Sequence, residues 1–75
     1  MTLNELMPHV NELNSDEMAN FLYANHVQYC REAIEWTTVD HLDDETEIDV
    51  WLDDDNFLQL FYDIKGNLTR YEIGD

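Results

Sequence analysis

The stretch from Asp40 to Asp55 combines a dense run of carboxylates with apolar residues at strand spacing. It contains no Lys or Arg, and its acidic residues are Asp40, Asp43, Asp44, Glu45, Glu47, Asp49, Asp53, Asp54 and Asp55. Acid at this density is typical of disordered chains. Here, however, apolar Ile48, Val50 and Leu52 alternate with Glu47, Asp49 and Trp51, which indicates a β-strand with one buried face. We therefore expect a folded surface that holds carboxylates in fixed positions.

The length and charge of the chain limit its domain count and its partners. Seventy-five residues allow one domain with one small core, which we assign to residues 1–75. The formal net charge is −15, from 18 acidic and 3 basic residues. This charge disfavours direct binding to DNA, RNA or anionic membranes. Basic protein surfaces are the expected partners, and nucleic-acid-binding proteins have the largest of them.

The sequence carries no motif of a catalytic, metal or cofactor site. Cys30 is the single cysteine, which excludes an internal disulfide and a thiolate metal cluster. The three histidines lack zinc-ligand spacing, and the Asp53–Asp55 run lacks the glycine and glutamate of a calcium-binding EF-hand loop. We expect no enzyme activity, no metal and no cofactor. The N-terminus carries no signal peptide and no apolar stretch could span a bilayer, so a cytoplasmic protein is expected.

Helical patterns occupy the first half of the chain. Leu3, Leu6 and Met7 begin a stripe of apolar residues at helical spacing, and Thr2 with Glu5 forms a capping-box pattern. Pro8 lies inside this pattern and would kink the helix or delay its start. Asn14 or Ser15 can cap a second helix. Residues 27–39 fit a helix or a strand, and we favour a helix to about Glu35 followed by extended chain.

The second half of the chain predicts an antiparallel sheet. Strands are expected around Ile48–Leu52, over Phe57–Tyr62 and over Leu68–Ile73. A four-residue turn at 53–56 would pair Leu52 with Phe57, and a left-handed bulge at Gly66 would pair Tyr62 with Leu68. The overall prediction is an α+β domain in which two or three N-terminal helices pack on three or four antiparallel strands.

This register divides the sheet residues between two faces. The face that should receive the helices holds Ile48, Val50, Leu52, Phe57, Phe61, Tyr71 and Ile73. The other face holds Glu47, Asp49, Trp51, Leu58, Leu60, Tyr62, Leu68, Arg70 and Glu72. Either the chain around Trp36 covers this second face, or it is exposed and binds a partner. We predict the second case, with Trp51, Leu58, Leu60 and Tyr62 as apolar contacts among the carboxylates of the 40–55 run.

Two resemblances add to these patterns. Residues 62–71, which read Tyr-Asp-Ile-Lys-Gly-Asn-Leu-Thr-Arg-Tyr, resemble one unit of the tyrosine-aspartate repeats of Rhs and teneurin shells, which supports a hairpin there. In size, acidity and element order, the chain resembles small phage-encoded inhibitors that imitate DNA, such as the uracil-DNA glycosylase inhibitor, anti-restriction proteins and some anti-CRISPR proteins. This second resemblance implies a phage or mobile-element origin and a target in the host cytosol.

These observations predict a stoichiometric inhibitor that occupies the basic nucleic-acid groove of a host protein or nuclease. Two alternatives remain open at this point: an antitoxin or immunity protein that neutralises a basic toxin, and a plain acidic adaptor domain. Direct competition with DNA for one site would separate mimicry from both alternatives.

Overall fold

A computed structural model describes the backbone of residues 1–38 and 41–74 and the side chains of residues 1–32 and 45–74. The element order is α1 (Leu3–Val10), α2 (Ser15–Ala24), β1 (Gln28–Thr38), β2 (His41–Trp51), β3 (Phe57–Tyr62) and β4 (Leu68–Gly74). The four strands form one antiparallel sheet in sequential order. The predicted α+β class, with N-terminal helices on a C-terminal antiparallel sheet, is confirmed.

Both helices begin with the caps that the sequence predicts. Thr2 and Glu5 form a capping box at α1, which starts at Leu3 and continues through Pro8. At α2 the cap is Asn14, whose side-chain oxygen accepts from the Glu17 N–H at 2.8 Å. Such caps satisfy backbone donors that the first turn of a helix leaves unpaired.

The end of α2 redirects the chain into the sheet. The N–H of Val27 donates to the carbonyl oxygen of Leu22 at 3.0 Å, and that of His26 donates to Tyr23 at 3.2 Å. This is the hydrogen-bond pattern of a Schellman motif. Its left-handed position, usually glycine, is His26 with φ of 58°.

Residues 28–38 form a strand, so the expected helix to about Glu35 is wrong. Along its whole length β1 pairs with β2, from Gln28 opposite Trp51 to Thr38 opposite His41. The isolated spacing of Val27, Cys30 and Ile34 suits a helix, but the chain after His26 extends along an available partner strand. Tertiary pairing of this kind commonly overrides a short helical pattern.

The loop between β2 and β3 is one residue shorter than predicted. The N–H of Leu52 donates to the carbonyl oxygen of Asn56 at 3.0 Å. Only residues 53–55 remain in the loop, and Asp55 closes it with φ of 62°, as in three-residue hairpin loops that end in a left-handed residue. The predicted pairing of Leu52 with Phe57 is therefore wrong. A slip of one residue turns every side chain of β3 to the opposite face of the sheet.

The corrected register places Leu58, Leu60 and Tyr62 under the helices, where each is 0% exposed. Their β2 partners in the pairing are Val50, Ile48 and Thr46. The prediction that these three residues lie on the exposed, partner-binding face is wrong. Their place is in the core cluster, which consists of Leu6, Val10, Met18, Leu22, Val27, Ile48, Val50, Leu52, Leu58, Leu60 and Tyr62.

The hairpin between β3 and β4 forms as predicted at its turn and shifts further on. Tyr62 pairs with Leu68, and Gly66 has φ of 88°. A bulge next to this pair then places Arg70 opposite Phe61. Beyond the bulge, Tyr71 lies opposite the core residue Leu60 and so shares the helix side of the sheet, as predicted, although it stays exposed.

Candidate protein-binding surface

The side of the sheet that faces away from the helices is called the outer face. Alternation along β2 defines it, because Ile48, Val50 and Leu52 are buried in the core while the residues between them point the other way. The described residues of the outer face are Gln28, Cys30, Glu32, Glu45, Glu47, Asp49, Trp51, Phe57, Gln59, Phe61, Arg70, Glu72 and Gly74.

Three carboxylates crowd the middle of the outer face. Glu32 on β1 lies directly opposite Glu47 on β2, and Asp49 follows two residues later. Since alternate residues of a strand are about 6.8 Å apart, three charges in two successive rows amount to roughly one per 4.5 Å of strand length, against one per about 1.7 Å along duplex DNA. The face therefore carries a fixed cluster of negative charge that is less dense than that of a nucleic acid.

The pKa values of two of these acids are raised by burial and, to a smaller extent, by the neighbouring carboxylates. Burial, with the neighbouring Asp49 and Glu32 carboxylates, raises the pKa of Glu47. Burial and the Glu32 carboxylate also raise the pKa of Asp49, against the opposing effect of a hydrogen bond with Gln59. Asp49 Oδ1 is buried and has no hydrogen-bond partner within the part of the chain that the structure describes. The face therefore carries its charge at a cost that a cationic partner would relieve.

Aromatic rings flank the carboxylates on the outer face. Trp51 contacts Phe57, with ring centroids 5.4 Å apart at an interplanar angle of 45°. Trp51 remains 43% exposed. Further along β3, Phe61 lies under the guanidinium of Arg70, whose Cζ is 3.9 Å from the ring centroid. Trp51 lies on the side of the sheet away from the helices, as predicted. Its aromatic neighbour is Phe57, which was predicted to lie on the other face.

The β2–β3 loop, which the sequence places in the binding surface, also holds the start of α1. The Asp53 carboxylate pairs with the amine of Met1, and the Asp53 N–H donates to the Met1 carbonyl oxygen at 3.1 Å. The Leu3 N–H donates to Asp54 Oδ2 at 3.3 Å. Burial raises the pKa of Asp54, but hydrogen bonds from Leu3 and other donors outweigh it and lower the pKa overall. Asp55 is exposed and has no such contact among the described residues.

Three of the remaining predicted acids, Asp43, Asp44 and Glu45, belong to the far half of β2. Pairing between β2 and β3 covers residues 46–51, so residues 41–45 of β2 pair with β1 alone. Glu45 is partly buried. Asp43 and Asp44 belong to β2, and their side chains are outside the described set; Asp40 lies outside the described residues. The predicted run of acids is therefore spread over a loop, the outer face and an extended hairpin.

Sequence reasoning missed three contributors to the outer face. Glu32 was assigned to a helix, although the alternative strand interpretation of residues 27–39 would have placed it beside β2. Phe57 and Phe61 were assigned to the face that receives the helices, and both assignments are wrong. The signal for their true position is Gln59, whose polar side chain favours the outward face and which alternates with both phenylalanines along β3.

Metal and membrane features are limited. Among the described side chains, those of residues 1–32 and 45–74, no three or more His, Cys, Asp or Glu are grouped to hold a metal ion. Among the described helices, none is long and apolar enough to cross a membrane.

Comparisons with known proteins do not assign the chain to a family. Protein-family models, curated protein sequences and solved structures give no match.

Proposed function

We propose that this protein is a stoichiometric inhibitor that occupies the basic groove of a nucleic-acid-binding protein. The observation that carries the proposal is the outer face, where Glu32, Glu47 and Asp49 adjoin the exposed Trp51. Charge alone gives little net affinity at an exposed surface, so an apolar contact beside it is needed for a stable complex. The proposal includes a phage or mobile-element origin and action in the host cytosol.

The physical argument is that a cationic partner would stabilise charges that burial and mutual repulsion destabilise. Cationic side chains of a partner would stabilise the ionised forms of Glu47 and Asp49, whose pKa values are raised in the free protein. The same carboxylates would repel nucleic acid and leave it unable to enter the occupied groove. Long-range attraction between the two charged surfaces should also accelerate association and make it sensitive to salt.

The test starts with affinity capture of a partner from a host lysate. A competition assay then measures whether this chain and nucleic acid exclude each other from the captured partner. The informative variant is Glu47→Gln/Asp49→Asn, which removes two charges from the outer face with little change of shape. Its control is Glu12→Gln/Asp16→Asn, which removes two charges from the helix side; Asp16 makes only an exposed ion pair with Arg31.

We expect the outer-face variant to lose competition with nucleic acid and the helix-side variant to retain most of it. Equal losses in both variants would show that net charge alone matters and would contradict the assignment of the surface. A partner that binds nucleic acid and this chain at the same time would reject mimicry and favour an antitoxin or immunity protein.

A further inference from the structure

Two phenylalanines of β3 have different neighbours on β4. Phe61 lies opposite Arg70, and the guanidinium covers its ring so that Phe61 is only 5% exposed. Phe57 lies opposite Gly74, which has no side chain to cover it. The β3–β4 pairing thus contains two outward phenylalanines, of which Phe61 is covered by a cation and Phe57 is not.

The uncovered ring belongs to an open depression of ≈ 490 Å³, lined by Trp51, Leu52, Asp55, Asn56 and Phe57. None of the three basic side chains of the protein lines it. An exposed carboxylate, Asp55, stands at its edge. The depression therefore offers aromatic faces and negative charge together, which is the combination that binds organic cations.

We propose that this depression receives an arginine side chain of the partner, which would stack on Trp51 and Phe57 as Arg70 stacks on Phe61. A guanidinium fits better than an ammonium because it is planar, weakly hydrated and able to stack while pairing with a carboxylate such as Asp55. The inference rests on the proposed function for the nature of the partner, a basic protein, but its site can be tested without that partner.

The direct probe is acetyl-Gly-Arg-Gly-amide, compared with the same peptide carrying lysine or citrulline, the uncharged analogue of arginine. Binding is followed through the indole N–H signals of the 15N-labelled protein, assigned with Trp36→Phe and Trp51→Phe variants. The arginine peptide should shift the Trp51 signal saturably. The citrulline peptide should bind at least about two- to fivefold more weakly, since it lacks the cation. Equal shifts with arginine and citrulline would overturn the proposal.

The variant Gly74→Arg tests the site from within the protein. A Cβ at this position would lie 3.6 Å from Phe57 Cδ1, an ordinary contact, so the backbone can accept a side chain. We expect its guanidinium to cover Phe57 and abolish the shift caused by the arginine peptide. The control Asn20→Arg adds the same charge on the exposed surface of α2 and should leave most of the binding intact. Unchanged binding in Gly74→Arg would overturn the proposal.

The failure of this inference and that of the proposed function give different results. If a captured partner competes with nucleic acid but the arginine peptide does not shift Trp51, the arginine site is rejected and the proposed function stands. If the peptide binds as expected and no partner competes with nucleic acid, the site stands and the proposed function is rejected. If the Trp51 signal shifts with protein concentration in the absence of peptide, the occupant of the depression is a second copy of the chain, and the arginine site is rejected.

Discussion

Replacing Tyr62 by phenylalanine should stabilise the protein, because it removes an unpaired hydroxyl from a fully buried residue. The Tyr62 side chain is 0% exposed, and its hydroxyl has no hydrogen-bond partner among the described residues. In the unfolded chain that hydroxyl is hydrated, so folding removes water from it without compensation. Burial of an unpaired hydroxyl costs about 1–3 kcal/mol in proteins. Because the ring stays in place in Tyr62→Phe, most of this cost should be recovered.

We expect the free energy of unfolding to rise by about 1 kcal/mol at neutral pH, after allowance for the small space that the missing oxygen leaves. In a domain of this size such a change raises Tm by about 4–8 °C. Urea denaturation followed by circular dichroism measures it, and an unchanged slope with denaturant would show that the unfolded state is not altered. The control is Tyr23→Phe, whose hydroxyl is exposed and whose loss should change stability by less than about 0.5 kcal/mol.

Alkaline pH gives an independent check of the same reasoning. Burial raises the pKa of Tyr62 to about 12, whereas the unfolded residue titrates near its ordinary value of 10. Between these values the native state holds a proton that the unfolded state has released, so stability falls as pH rises, by up to about 1.4 kcal/mol per pH unit. The advantage of Tyr62→Phe should therefore widen above pH 10. A variant that is less stable than the parent by 1 kcal/mol or more would refute the argument, because it would mean that the hydroxyl is hydrogen-bonded.

Three further changes test other parts of the structure. Gly66→Ala should destabilise by about 1–2 kcal/mol, since φ is 88° and the new Cβ would lie 3.2 Å from Ser15 Oγ, whereas Gly74→Ala meets only ordinary contacts; urea denaturation compares them. His26→Gly should stabilise by about 0.5–1 kcal/mol, because glycine suits the left-handed position at the end of α2; a lower Tm would contradict this. Glu47→Gln/Asp49→Asn should raise stability at neutral pH by a few tenths to about 1 kcal/mol through loss of like-charge contacts. In the parent both pKa values are raised above their ordinary values of 4.5 for Glu47 and 3.8 for Asp49, so stability should increase as pH falls toward those values. Thermal scans across this pH range should show no such increase in the variant.

The local patterns of the sequence were enough to predict most elements of the fold. The cap at Thr2, the hairpin turn at Gly66 and the alternation of Ile48, Val50 and Leu52 each depend on residues close in sequence, and all three predictions are confirmed. The helix expected to about Glu35 was wrong because the spacing of residues 27–39 suits both a helix and a strand. The presence of β2 as a partner decides between them, and a local pattern does not contain that information.

The candidate surface was predicted less well because it depends on register. Whether Leu58 or Phe57 is buried follows from the length of one loop, and the sequence offers no glycine there to mark the left-handed residue. Asp55 takes that conformation instead, as aspartate does more readily than most residues. One residue of difference therefore exchanged the apolar contacts of the outer face, while the positions of Glu47, Asp49 and Trp51 on β2 were unaffected.

The acids of this chain act on folding in opposite directions, and the difference indicates which of them serve the fold. Hydrogen bonds from the Leu3 N–H at the start of α1 and from Asn56 lower the pKa of Asp54. Its charge therefore supports the native state above the ordinary pKa of 3.8, and this support is lost as pH falls. Glu47 and Asp49 have raised pKa values, so their charges oppose the native state at neutral pH. Charges on the outer face that destabilise the native state have no stabilising role in the isolated domain. A cationic partner would reverse the sign of that contribution, which is why neutralising Glu47 and Asp49 should strengthen folding and weaken binding together.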